Sequence, residues 1–274
     1  MKKDKKTILV LWEFDALSEH AMEHAVQLAK KTENNIAILT ICNNKKLEET
    51  QDKLDEVVGE CEQKYKMRPF AMVKTGKFNK EVKVAISELR CTLVVCKTDG
   101  VKSKRNLGTK NLITLISWSN IPFIVIQDPP VSDKIDDIIS PVDFRTENKE
   151  KLSWIFYINK YYNSKVHVFK HNVNDPHLLK YVSNNINFAK TQFKNKGIDY
   201  DITTSEEKGG FSDQTVQFAK ERGADMIVIM IKKSNAIVNL LFGSDEERIL
   251  ANEQRIPVMC LSPRTDIRKY GGFN

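Results

Sequence analysis

The chain has 274 residues, of which 41% are hydrophobic, and its 43 Lys and Arg against 36 Asp and Glu give a formal net charge of +7. Because both signs of charge are interspersed and the one dense basic run is 2–6, the composition argues against a nucleic-acid partner. No window reaches the roughly 18–20 apolar residues of a membrane span, and nothing near the N-terminus is typical of a signal peptide, so we expect a cytoplasmic protein without membrane contact.

Strands and helices alternate through the first half. Short apolar runs typical of buried strands separate segments with apolar residues at helical spacing, and Ser18 is the expected cap of the first helix. The predicted strands are 8–12, 36–41, 70–75, 92–97 and 123–127, and the predicted helices are 18–31, 47–66, 79–89 and 111–118.

A Pro-Pro pair among polar residues marks a linker at 127–134, and the alternation then resumes. We therefore divide the chain into domains 1–130 and 131–274. The predicted strands of the second domain are 138–143, 166–171, 199–204, 226–231 and 257–262, and the predicted helices are 149–162, 177–196, 212–222 and 245–252.

The second half repeats the first. Five segments recur in the same order at an offset of about 130–135 residues, which indicates duplication of a whole domain rather than a short-period repeat. The matched pairs are 6–15 with 136–145, 75–88 with 208–221, 91–96 with 224–229, 107–113 with 242–250, and 121–129 with 256–263. Strands alternating with helices predict an α/β fold of two open three-layer α/β/α domains, each with a parallel five-stranded sheet.

Ligand sites in such sheets form at the carboxyl ends of the strands. The stretch 228–250 runs from a strand through a polar loop to Gly243-Ser244 at the start of a helix, where backbone N–H groups favour an anion. Lys232 and Lys233 would add positive charge. The alternative is that Ser244 only caps the helix and that the acidic residues after it complement the helix dipole.

The order of these features resembles a tandem universal stress protein, over about residues 5–128 and 134–264. The resemblance rests on a first strand ending in PVDF (141–144), a GGF segment (209–211) before the fourth strand, and Gly-Ser followed by a helix and IPV (256–258). It implies a cytoplasmic fold of the adenine-nucleotide alpha-hydrolase-like type, pairing through the fifth strand, and ATP binding in some members.

ATP-binding members of that family share a loop of pattern G-x2-G-x9-G-[ST] after the fourth strand. Glycine is needed there because backbone N–H groups must approach the phosphates without an intervening Cβ. In the second half Met230 and Lys233 stand at the first two glycine positions. In the first half Lys97 stands at the first position, and the loop is shorter.

The resemblance thus implies a degenerate site for ATP or another adenine nucleotide, with Mg, in the second half. Its residues are Pro141, Asp143, Lys232, Lys233, Gly243 and Ser244. A weaker counterpart in the first half comprises Glu13, Gly100, Gly108 and Thr109.

No catalytic constellation is evident. The segment 101–105 (VKSKR) faintly resembles the KMSKS signature of adenylating enzymes, but neither a HIGH nor an SGG signature accompanies it. His20 and His24 have helical spacing without the glutamate of HExxH, so we expect surface histidines and no metal site. The five scattered cysteines are typical of reduced, buried thiols.

Three functions remain open. The first is a non-enzymatic cytoplasmic stress-response protein that binds adenine nucleotide in its second half. The second is a nucleotide-independent scaffold for protein partners, whose identity the sequence does not give. The third is a weak ATPase or adenylating enzyme. In each case the fifth strands would be open sheet edges, so we expect them to pair within the chain as an internal pseudo-dimer, with a homodimer of such units as an alternative.

Overall fold

The computed structural model describes residues 5–231 and 245–263. The strands are β1 (Thr7–Leu11), β2 (Asn35–Cys42), β3 (Phe70–Thr75), β4 (Cys91–Lys97), β5 (Phe123–Ile126), β6 (Asp137–Val142), β7 (Lys165–Lys170), β8 (Tyr200–Thr204), β9 (Met226–Met230) and β10 (Val258–Leu261). The helices are α1 (Ala16–Thr32), α2 (Leu47–Tyr65), α3 (Phe78–Glu88), α4 (Thr109–Ser117), α5 (Leu152–Tyr162), α6 (Pro176–Lys196), α7 (Phe211–Glu221) and α8 (Asp245–Leu250).

The described strands form a single sheet in the order β3-β2-β1-β4-β5-β10-β9-β6-β7-β8. All neighbouring strands are parallel except β5 and β10, which pair antiparallel with Ile124 opposite Met259. The pairing joins two five-stranded parallel sheets as an internal pseudo-dimer, and the predicted fold class is confirmed. The division between residues 130 and 131 stays a prediction.

Apolar side chains pack on both faces of this sheet. In β1, Ile8 and Val10 contact the layer that contains α1 and α2, whereas Leu9 and Leu11 contact the layer that contains α3 and α4. Successive side chains of a strand point to opposite faces, so a strand covered on both sides needs a continuous apolar run. This is why the buried strands were predictable from the sequence.

The start of α1 differs from the prediction. Asp15 is the cap, since its carboxylate accepts a hydrogen bond from the backbone N–H of Ser18 at 2.9 Å. Ser18 is buried in the first turn, where its hydroxyl accepts from the backbone N–H of Glu13 at 3.0 Å. An aspartate three residues earlier satisfies the free N–H groups equally well, and the two choices are close in capping preference.

All five cysteines are free thiols, and four of them are buried. Burial raises the pKa of Cys61 to about 11 and that of Cys91 to about 12, so both stay protonated and unreactive at neutral pH. Within 5–231 and 245–263, no helix combines the length and the apolar character that crossing a bilayer requires.

Candidate functional site

The carboxylate of Asp143 directly follows β6, where the sequence places the second-half site. Its Oδ1 accepts from the backbone N–H of Arg145 at 2.9 Å and from the amide of Asn148 at 2.6 Å. Its Oδ2 accepts from Nε of Arg145 at 2.7 Å. Both oxygens of Asp143 are therefore already bound by its own turn.

A second set of contacts supports the turn that follows β6. Asn185 on α6 donates to the carbonyl oxygens of Asp143 and Arg145 at 2.9 and 2.8 Å. The ammonium group of Lys151 donates to the carbonyl of Pro141 and to Asn148. Lys151 is 1% exposed, and burial lowers its pKa to about 7 although Asp143 nearby raises it. The turn is rigidly supported.

Arg145 links this turn to the neighbouring strand and helix. Its Nη1 donates to the carbonyl of Met230, at the end of β9, at 3.4 Å and to the carboxylate of Glu246 on α8 at 3.3 Å. The sequence analysis did not identify Arg145 as a site residue. Its position two residues after Asp143 could have indicated a local ion pair. Arg145 thus binds the group that the resemblance assigns to a nucleotide.

The pocket between these groups is small. It encloses about 60 Å³ and is lined by Pro141, Asp143, Arg145 and Phe211 among others, whereas ligand pockets commonly measure about 300–1,000 Å³. The remaining predicted residues lie outside the described part of the chain. These are Lys232, Lys233, Gly243 and Ser244.

Among the described residues, the charges around this pocket are mostly negative. Asp143, Asp245 and Glu246 line it, and Arg145 is the one cation of that described lining. Ser212 donates to the carboxylate of Asp245 at 3.0 Å, which fixes one acid at the rim. Since like charges within a few ångströms repel, the described residues disfavour a polyanion.

An aromatic column lies along one side of this end of β7. Phe211 stacks on His171 with ring centroids 4.3 Å apart, and on Phe169 at 5.5 Å. Burial lowers the pKa of His171, which keeps the imidazole neutral at pH 7. The column offers a flat apolar face near the pocket rather than a charged one.

The first-half counterpart is built around Lys97. Its ammonium group contacts three carboxylates, Glu13 at 2.9 Å, Asp15 at 2.5 Å and Asp99 at 2.8 Å, and its side chain is 1% exposed. Burial lowers the pKa of Lys97, but the three hydrogen bonds raise it more, so the net shift is upward. The lysine that interrupts the glycine pattern is therefore the centre of an ion cluster.

The backbone between Glu13 and Asp15 lets both carboxylates contact Lys97. Phe14 adopts a left-handed conformation with φ of 55°, which few non-glycine residues adopt, and lies between Glu13 and Asp15. Arg105 closes the cluster from the solvent side, with its guanidinium 3.1 Å from Glu13 and 3.6 Å from Asp99. The predicted site residue Glu13 is thus paired with two cations of its own chain.

The loop after β4 uses its backbone donors internally. The N–H of Gly100 donates to the hydroxyl of Thr98 at 3.1 Å, and that of Thr109 donates to the carbonyl of Gly100 at 3.3 Å. The N–H of Gly108 donates to the carbonyl of Arg105 at 3.1 Å. These are the groups that a phosphate cradle would present to its ligand.

Packing explains two of the predicted residues in that loop. A Cβ on Gly108 would lie 2.3 Å from the carbonyl oxygen of Ser103, so glycine is required for the loop to close. The hydroxyl of Thr109 is buried and donates to Glu247 in the second half at 3.2 Å. The structure places Gly100 and Gly108 in one loop and Thr109 at the start of α4, but as parts of the chain's own hydrogen-bond network.

The expectation of surface histidines is wrong for two residues. His24 is buried beneath the linker, where its Nε2 lies 3.0 Å from the carbonyl oxygen of Asp128, and burial lowers its pKa. His167 is buried between Asp137 and Asp201, at 2.7 and 2.9 Å. Both partners are distant in sequence, so helical or strand periodicity alone did not reveal them.

No protein-family model matches the chain, and no curated protein matches it in sequence. Solved structures do match it over nearly its full length. A universal stress protein from Archaeoglobus fulgidus DSM 4304 is 16% identical, with a TM-score of 0.75, covering 96% of this chain and 100% of that one.

Two Pseudomonas aeruginosa structures are similar to a lesser degree. A protein of unknown function from strain PAO1 is 15% identical with a TM-score of 0.65, covering 97% of this chain and 95% of that one. A candidate universal stress protein from strain UCBPP-PA14 is 15% identical with a TM-score of 0.64, covering 97% and 96%.

These likenesses define the class of fold. The chain has the α/β fold of the universal stress proteins, and the resemblance seen in the sequence is confirmed at that level. Its ten-stranded sheet contains two such units joined through β5 and β10.

Proposed function

We propose that the protein is a cytoplasmic, non-enzymatic stress-response protein of the universal stress type that acts through protein contacts without nucleotide. The observation that carries the proposal is the position of Lys97. Its ammonium group occupies the space among Glu13, Asp15 and Asp99 at the carboxyl end of β1 and β4. A cation of the chain stands where the resemblance implies a ligand.

The second half supports the same proposal by a separate contact. Arg145 binds both oxygens of Asp143 and also reaches the end of β9. In both halves the carboxylate after the first strand is therefore held by a basic residue of the chain. A nucleotide would have to displace these ion pairs, which already satisfy the acids.

A second candidate function is adenine-nucleotide binding in the second half. It is favoured by the pocket next to Asp143, because the aromatic ring of Phe211 and the guanidinium of Arg145 both line it. If Arg145 turned toward solvent, the pocket would enlarge and the guanidinium would pair with a phosphate. Magnesium would neutralise part of the remaining negative charge.

Calorimetric titration with Mg-ATP separates the two functions. We expect no heat of binding with the full chain up to millimolar ATP, and no nucleotide retained after desalting. Binding that weakens in Asp143→Ala, but not in Asp213→Ala at an exposed position of α7, would overturn the main proposal in favour of the second.

The same samples test the enzymatic alternative. Phosphate release from Mg-ATP is measured for the full chain and for Asp143→Ala. We expect both to match the buffer rate. Release above that rate which Asp143→Ala abolishes would instead identify a weak ATPase.

A further inference from the structure

A separate cavity of about 280 Å³ lies between α1, the linker and the segments that lead into β9 and β10. It shares no lining residue with the pocket next to Asp143. Dry apolar cavities of about 150 Å³ in proteins bind benzene. The linker cavity therefore has room for a ligand of roughly a dozen non-hydrogen atoms.

Specific contacts hold the linker over this space. His24 on α1 bonds to the carbonyl of Asp128 at 3.0 Å, and the amide of Gln27 donates to the carbonyl of Ser132 at 2.9 Å. Arg255 donates to the carboxylate of Asp128 at 3.0 Å. Hydrogen bonds from α1 and from Arg255 therefore hold the linker in place over the cavity.

The lining combines apolar side chains with four charged ones. The apolar lining includes Leu28, Ile124, Ile135, Met226 and Ile256. Asp128 is paired with Arg255, and Asp225 accepts the backbone N–H groups of residues 136 and 137 at 2.7 and 3.0 Å. Neither Asp225 nor Lys134 has an ion pair among the described residues, but Asp225 is already held by those two backbone N–H groups. Lys134 is therefore the charged group of this cavity that is left for a ligand.

The duplicated half carries a larger side chain at the position of His24. The match of 6–15 with 136–145 places His24 opposite Trp154 on α5. Trp154, with Ser153 and the segment 120–122, lines a pocket of only about 10 Å³. An indole in place of the His24 imidazole would therefore take up space in the first-half cavity.

We propose that the linker cavity binds a small monoanion with a flat apolar body, of the aromatic carboxylate class, whose carboxylate pairs with Lys134 and whose body lies between Leu28 and Met226. The site is independent of the proposed function, because it uses neither strand-one carboxylate. Since the linker joins the two halves, an occupied cavity also stabilises their arrangement by mass action.

The probe is 2-naphthoate, titrated into the full chain by calorimetry, with uncharged 2-naphthamide as its matched analogue. We expect naphthoate to bind at micromolar to millimolar concentration and to raise Tm. Lys134→Gln should weaken naphthoate about three- to tenfold and leave the amide unchanged. Lys110→Gln, at an exposed lysine of α4, should change neither.

His24→Trp puts the larger side chain of the second half into the cavity lining and should abolish binding of both probes while the chain stays folded. Unchanged binding in folded His24→Trp, or no binding to the unaltered chain at millimolar naphthoate, would overturn the proposal. If His24→Trp does not fold, the Lys134→Gln comparison decides alone: equal weakening of naphthoate and naphthamide, or no weakening of either, refutes the site.

Discussion

The ammonium group of Lys97, at the end of β4, lies 2.9 Å from the carboxylate of Glu13, just after β1. The two strands are neighbours in the sheet, so the contact joins the two carboxyl ends at which the fold would place a ligand. Because the same nitrogen also contacts Asp15 and Asp99, removal of Lys97 leaves three acids without their central cation.

Lys97→Met should lower the free energy of unfolding by about 3 kcal/mol at pH 7, near the low end for a broken buried ion pair, since Asp15 is partly exposed and water can reach it. Urea denaturation measures the loss. Lys53→Met, which removes an exposed partner of Glu49 on α2, is the control and should leave the stability unchanged.

The deficit of Lys97→Met should shrink in acid. Burial raises the pKa of Asp15, but hydrogen bonds from Lys97 and Ser18 lower it further, so the net pKa is below its ordinary value. Its stabilisation is present above about pH 4 and is lost as pH falls through the lowered pKa. A deficit that grew below pH 4 would contradict this account of the cluster.

Because the pKa of Lys151 is lowered in the folded chain, we expect the free energy of unfolding to increase with pH above neutrality. Its pKa is lowered to about 7 in the folded chain, against an ordinary value near 10.5. Between these values the unfolded chain binds more protons, so the free energy of unfolding rises with pH, by at most about 1.4 kcal/mol per unit from this group. Lys151→Met should lose that slope.

Urea denaturation from pH 6 to pH 8.5 measures this slope. Lys149→Met is a matched control, because that lysine precedes α5 without entering the core. Parallel pH profiles for the unaltered chain and Lys151→Met would show that the ammonium group is not the source.

His167→Leu should cost about 1–3 kcal/mol, because it removes the buried ring whose two nitrogens lie 2.7 and 2.9 Å from the carboxylates of Asp137 and Asp201. Asp201 keeps Lys165 and Arg222 nearby, which limits the loss. Thermal unfolding at pH 7 checks the value. His177→Leu, at the exposed start of α6, should leave Tm unchanged, and an equal shift in both variants would refute the assignment.

Asn252→Ala should cost about 2–3 kcal/mol, since this buried amide makes three hydrogen bonds that join α8 to β10. It donates to the carbonyls of Ile249 and Ile256 and accepts the N–H of Ile256. Denaturant unfolding measures the change, with Asn184→Ala on the exposed face of α6 as control. A loss no larger than the control's would mean that water replaces these bonds.

The sequence was sufficient to predict the elements of the fold. β4 is a continuous apolar run and α1 has an apolar stripe, and burial on two faces or on one face imposes those patterns directly. The helix ends were less certain. Asp15 and Ser18 both carry side chains that cap a helix, and only the actual course of the chain selects between them.

The candidate site was only partly predictable. Glu13 and Asp143 were identified through the family resemblance as the acids after the first strand of each half, but the cations that bind them were not. Arg145 is only two residues from Asp143, so their ion pair could have been predicted from the sequence. Lys97 is distant from Glu13 and Asp15, and the departure from glycine gave no sign that the lysine had become a partner.

The sequence by itself determined the duplication and the alternation of strands and helices, because both depend on apolar patterns that repeat along the chain. Only the tertiary structure decided what the degenerate positions do. Hydrogen bonds and ion pairs such as that between Lys97 and Asp15 act over less than 3 Å between residues far apart in sequence. Only the folded sheet brings them together.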